Sequence, residues 1–149
     1  MTARKTCLGL LTLFLLVFFC VAQQTEDKKV TIKKVPIRDV DPASGREMYT
    51  AYCAACHGVD GRGVGPATPA LKTPPPDLTT LAKRNNGKYP DLRVSQTIKG
   101  DVASPVHGDK DMPVWGYSFR SLHTGSAPDV EVQKRLYGLT TYIGSMQEK

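Results

Sequence analysis

Two thiols and an imidazole stand together in this chain as Cys53-Ala54-Ala55-Cys56-His57. Cysteines three apart on a helical turn face the same way, so both sulfurs can reach one object beside the helix. The side chain that follows, His57, then lies where its ring can bind a metal at that object's centre. C-x-x-C-H is the pattern of covalent haem attachment, in which both sulfurs add to vinyl groups on one side of a porphyrin. Three other uses of these residues compete with it. A disulfide would close a tiny loop and constrain little of the unfolded chain. A zinc site takes four ligands, usually from two such pairs, and no second pair is present. A thioredoxin-like redox pair belongs in a βαβ setting that the surrounding sequence lacks.

An iron held by His57 has a second axial position to fill. Of the four methionines, Met1 belongs to the leader, Met48 falls on the apolar face of a helix and Met146 at a fraying end. Met112 lies in a loop 55 residues after His57, with Pro113 stiffening the chain behind it. It is the expected sixth ligand, the other reading being a loop methionine packed on the haem edge. His107 is the alternative: two histidines lower the potential, whereas a Met/His pair raises it. His107-Gly108 lacks the stiffening found after Met112, so His107 reads as a hydrogen-bonding or solvated side chain, and His123 as surface. Haem propionates need donors where they are partly buried. Arg62, Trp115 and Tyr117 are candidates and Arg93 a further one, although Trp115 reads equally well as core. Tyr49, Tyr52 and Tyr142 read as core aromatics.

The elements that must position these groups are helical. Asp41 is the expected N-cap of a first helix, with Pro42 at its first position. Gly45, Met48, Tyr49 and Tyr52 then share one face that leads into Cys53. Residues 58–76 are too rich in glycine and proline for regular structure. Short helices are expected over 77–83 and 91–99, the second stopped by Gly100. A loop over 101–112 and a turn-rich passage to Ser126 precede a last helix. That helix has Pro128 near its start and a stripe of Val132, Leu136, Leu139 and Ile143. No alternating strand pattern appears after residue 40, so the domain reads as all-α with long loops.

Composition bounds the rest. The chain has 149 residues with 13 glycines and 11 prolines, and 16 of its hydrophobic residues fall within 1–22. The remainder is too sparsely apolar for a multi-span membrane protein, a coiled coil or a large-cored α/β enzyme. A small core with many turns needs a disulfide, metal or cofactor to support it. Residues 1–22 read as a secretory signal: Arg4 and Lys5, an uncharged run from Cys7 to Ala22, and a cut before Gln23. An uncleaved anchor is the other reading. Residues 23–40 read as a charged tether, its later part extended, and 41–149 as the functional domain. The net charge of +6 falls to +4 without the leader and is too dispersed for a nucleic-acid partner.

The stretch from Gly45 to Met146 resembles the class I cytochrome c family. Gly45, Tyr49 and Cys53 are similar to its first-helix pattern, and His57-Gly58-Val59-Asp60-Gly61-Arg62-Gly63-Val64-Gly65-Pro66 looks like its proximal loop. Met112-Pro113-Val114-Trp115-Gly116 is similar to its distal-ligand segment. The resemblance implies crossing N- and C-terminal helices, with Leu139, Tyr142 and Ile143 meeting the first helix at Gly45 and Tyr49. It implies long loops around one covalent haem c and an iron ligated by His57 and Met112. It also implies that the Pro66 carbonyl accepts the other ring proton of His57. An iron with both axial positions filled by protein has no open site and can only change oxidation state. The expected role is a periplasmic mono-haem electron carrier between respiratory or dehydrogenase redox partners, not an enzyme. A membrane would be touched only through an uncleaved leader. The rivals are a fixed haem subunit of a larger complex, a haem peroxidase or gas-binding protein, and a haem-free thiol oxidoreductase.

Overall fold

The structure, a computed structural model, describes residues 35–101, 112–122 and 125–149. Among these residues five α-helices form: α1 (Gly45–Tyr52), α2 (Ala54–His57), α3 (Asp91–Lys99), α4 (Trp115–Leu122) and α5 (Pro128–Ser145), with 3-10 turns at Thr68–Ala70 and Lys83–Asn85. Among the described residues there is no strand, and the all-α architecture expected from the sequence is present. The leader, residues 23–34 of the tether, residues 102–111 with His107, and His123 lie outside the described residues.

Helix α1 starts later than its sequence suggests. Asp41 spends its carboxylate on a local turn, accepting from the Ala43 N–H at 2.9 Å, while its carbonyl accepts from Ser44 N–H at 3.0 Å. Aspartate often prefers such a turn to a helix start. Ser44 is the cap, its Oγ accepting from Glu47 N–H at 3.3 Å, and Glu47 faces the positive end of the helix dipole. Met48, Tyr49 and Tyr52 are buried as their spacing requires.

Helix α5 carries the other half of the core. Pro128 occupies its first turn with Asp129 and Glu131. Val132, Leu136, Leu139 and Ile143 are all buried, each worth roughly 1.5–3 kcal/mol of transfer from water. α1 and α5 cross at glycines: a Cβ on Gly45 would strike the Gly138 carbonyl oxygen, and one on Gly138 would lie 2.8 Å from Met48 Cε. Tyr142 packs its ring 5.4 Å from that of Tyr49 at the same crossing.

Helix α3 ends at Gly100, whose φ of 92° few other residues adopt. Two expectations fail nearby. Residues 77–83 do not form an α-helix, because Asp77 Oδ1 accepts from both the N–H and the hydroxyl of Thr79, at 2.7 and 2.6 Å. These short-range bonds compete with a helical ladder. The stretch expected to be turn-rich contains α4 instead, whose Trp115 and Phe119 stack at 5.5 Å while Phe119 is fully buried. Tertiary packing of that aromatic face outweighs a mediocre helix propensity.

Both flanks are stitched down. The end at Met146 does not fray: Gln147 Nε2 donates to the carbonyls of Leu78 (2.7 Å) and Ile143 (2.9 Å), and its Oε1 accepts from Ala82 N–H. Glu148 N–H donates to the Thr79 carbonyl at 2.8 Å. Ahead of α1, the Arg38 carbonyl accepts from the Tyr52 hydroxyl and the Val40 carbonyl from Arg135 on α5.

Candidate haem site

The attachment motif begins at Cys53, the junction of α1 and α2, and runs through the single turn of α2. Cys53 closes α1 through its N–H to the Tyr49 carbonyl at 2.9 Å. Its own carbonyl accepts from Cys56 N–H (3.1 Å) and His57 N–H (2.9 Å). Gly58, at φ 79°, then turns the chain out of α2. Cys53 is buried, Cys56 half-buried and His57 only 8% exposed. Burial pushes the Cys53 thiol up to about 12, with Cys56 adding to the shift. A catalytic redox thiol has the opposite, a depressed value, and burial denies that to Cys53.

The glycine loop folds back onto this turn and takes up its carbonyls. Gly63 N–H donates to the His57 carbonyl (2.8 Å), Gly65 N–H to Cys56 (3.0 Å) and Ala67 N–H to Ala55 (2.8 Å). The Thr68 hydroxyl adds a second bond to Cys56 at 2.9 Å. A Cβ at Gly65 would collide with the Ala55 and Cys56 carbonyls, which explains the glycine there. Pro66 is exposed and stands between two residues bonded to the motif turn. Tyr49 braces the turn from the core, its hydroxyl donating to the Gly58 carbonyl at 2.8 Å. Burial pushes that phenol far above its ordinary pKa.

A cavity of about 300 Å³ opens against the motif. Cys53, Cys56 and His57 line it together with Tyr52. Leu71, the Pro74-Pro75-Pro76 run, Leu78 and Leu81 form a second wall, and Val94, Thr97 and Ile98 of α3 a third. Met112, Pro113 and Trp115 complete it. Met112 is half-buried, and Trp115 is held between Tyr52 (5.2 Å) and Phe119 (5.5 Å). The volume lies at the lower end of the range for cofactor-sized pockets.

The lining suits a porphyrin bound through thioethers. Its walls are largely carbon, both thiols belong to one wall, and an imidazole and a thioether share the space. Arg84 and Arg93 also line it and are solvent-exposed, so they stand at its mouth, and among the described residues no carboxylate lines the cavity. Among the described residues, no group of three His, Cys, Asp or Glu side chains converges to hold a bare metal ion.

Two expected propionate donors are elsewhere. Arg62 is not on the lining: it faces Asp60 (4.0 Å), Asp77 (3.8 Å) and Glu148 (3.1 Å), where three carboxylates outcompete the cavity. Tyr117, 78% exposed, points away as well. Sequence reasoning missed Arg84, Asn85 and the proline run. Three consecutive prolines after Leu71 and Thr73 were the available signal, since such a run is stiff and extended and suits a wall.

The fold and the site together define a small helical domain built around a covalently attached haem. In keeping with that, the family model described as Cytochrome c matches residues 42–118, and the chain belongs to the cytochrome c family. No curated protein and no solved structure matches it. Its cofactor is haem c with iron, Cys53-Ala54-Ala55-Cys56-His57 fits the attachment motif, and its role is that of a haem-binding electron carrier.

Proposed function

We propose that the protein is an exported, periplasmic single-electron carrier in which His57 and Met112 bind the haem iron from its two sides. The supporting observation is that one cavity is lined by both motif cysteines, His57 and Met112. Bound there, the haem supplies reversible one-electron chemistry at iron. The protein's part is to hold both axial side chains in place so that neither oxidation state needs a new geometry.

His57 is placed by the α2 turn and the backbone bonds of residues 63–67. A bond from its ring N–H to the Pro66 carbonyl, which the structure does not itself form, would fix the tautomer and raise the basicity of the ligating nitrogen. Pro113 stiffens the chain behind Met112, and Trp115 anchors the same segment to the aromatic core. Arg93, and Arg84 beside its bond to the Asp77 carbonyl, would be the donors toward the propionates in place of Arg62 and Tyr117, while Trp115 would serve as wall. With His57 and Met112 both given to the iron, no coordination position would be left for a substrate, and the bound haem would supply one-electron exchange with partner proteins. The partners are redox proteins of the same compartment.

The test is optical. Ferric holoprotein is expected to show the sulfur-to-iron charge-transfer band, lost in Met112→Ala and kept in His107→Ala. The opposite pattern moves the sixth ligand to His107. Reduced wild type is expected to bind carbon monoxide slowly, and fast binding would favour an open-site haem protein. Fractionating cells into periplasm, membrane and cytoplasm tests the location.

A further inference from the structure

One strongly buried charge lies behind the cavity rather than in it. Arg135 of α5 is 3% exposed. Its Nη1 donates to the Val40 carbonyl at 2.7 Å and stands 3.5 Å from the Tyr52 hydroxyl. Its Nη2 meets Asp39 Oδ1 at 2.7 Å and Glu131 Oε1 at 3.1 Å. The guanidinium carbon lies over the Phe119 ring, 5.9 Å from its centre. One side chain therefore touches the chain ahead of α1, α1 itself at Tyr52 (the residue before Cys53) and α4 at Phe119.

Phe119 is the base of an aromatic pile. Its ring lies 5.4 Å from Tyr52 and 5.5 Å from Trp115, and Tyr52 and Trp115 are 5.2 Å apart. Two of the three, Tyr52 and Trp115, line the cavity. Trp115 opens α4 three residues after Met112, with only Pro113 and Val114 between them. Where Trp115 rests thus limits where Met112 can stand.

We infer that Arg135 is a positioning residue for the sixth ligand: by fixing Tyr52 and Phe119 together it sets the seat of Trp115 and so holds Met112 on the iron. The inference rests on Met112 being that ligand. It also gives Asp39 and Val40 a part in the redox site, because they hold the guanidinium from the side away from the pile. Aliphatic replacement would fill the space but would surrender the flat cation over Phe119 and the bonds to Tyr52 and residues 39–40. A ligand held by a loop then visits its detached state more often, and the detached fraction follows the lost preference directly.

The experiment compares holoprotein variants at a temperature well below unfolding. Arg135→Met is expected to weaken the sulfur-to-iron band and to speed carbon monoxide binding to the reduced form by about tenfold. Arg135→Lys, which keeps the charge without the planar fork, should fall between it and wild type. Asp39→Asn should move in the same direction by less. Tyr89→Phe is the control for stability alone, since its lost bond to the Thr140 carbonyl lies outside the pile. If Arg135→Met lowers the melting temperature but leaves band and binding rate at wild-type values, or if Tyr89→Phe changes them equally for the same loss of stability, the inference is overturned. A band that survives Met112→Ala overturns the ligand reading first, whatever Arg135 does, and the inference falls with it.

Discussion

At the scale of single residues, the site depends on Cys53, Cys56 and His57 being held in place by backbone hydrogen bonds. The carbonyls of Ala55, Cys56 and His57 are all taken by the returning loop, so the motif turn is rigid before anything is attached to it. Converting both cysteines to serine removes the covalent links, and mass spectrometry should find a polypeptide without added haem mass after acid–acetone extraction. Wild type should keep the added mass. Arg135→Met should also cost about 1–3 kcal/mol of unfolding free energy, because the half-buried Glu131 and the Val40 carbonyl lose a charged partner. The exposed Arg120–Asp129 pair, by contrast, should contribute no more than about 1 kcal/mol. Chemical denaturation of Arg135→Met and Asp129→Asn measures that difference.

At the scale of elements, the decisive contact is the crossing of α1 and α5. Gly45→Ala places a methyl against the Gly138 carbonyl, which is backbone and cannot swing aside. A loss of about 3 kcal/mol, the upper end for overpacking, is expected. Gly87→Ala offers a comparison: its φ is 80° but no atom lies within 4 Å of the new Cβ. Only conformational strain remains there, about 1 kcal/mol. Thermal melts of the two variants separate steric from torsional cost. Ser44→Ala should lose about 1 kcal/mol of capping, and Asp41→Ala should not reproduce the loss of a helix cap, since Asp41 closes only the turn before it.

At the scale of the whole molecule, the C-terminal tail, the 77–82 turn and Arg62 form one polar clasp beside the cavity wall. The Thr79 hydroxyl and N–H, then the nearby Arg62 and Arg84, hold the Asp77 carboxyl below its ordinary pKa. A depressed folded pKa means that the contribution is fully present above the unfolded value and is lost as pH falls through the folded one. Asp77→Asn should therefore be less stable than wild type at neutral pH. The gap between their melting temperatures should close below about pH 4. A gap unchanged from pH 7 to pH 3 would show that the Asp77 charge plays no part in the clasp.

Much of this was legible in the sequence because it is local. The spacing of Cys53, Cys56 and His57, the shared face of Gly45, Met48, Tyr49 and Tyr52, the stripe on α5 and the stop at Gly100 are set within one or two turns of chain. Neighbouring residues there share a periodicity that the backbone imposes. Helix α4 was not legible, since its stability comes from Phe119 and Trp115 meeting Tyr52, sixty-odd residues away in sequence. Nor was the partner of Arg62, the docking of Gln147, or the arrival of Arg84 at the cavity mouth. The residue types alone determined that this chain should carry a haem on a helical frame. Which side chains wall the cavity, and that Arg135 lies buried behind it, was decided only when distant segments packed, because desolvation and ring stacking depend on neighbours that no short window of sequence contains.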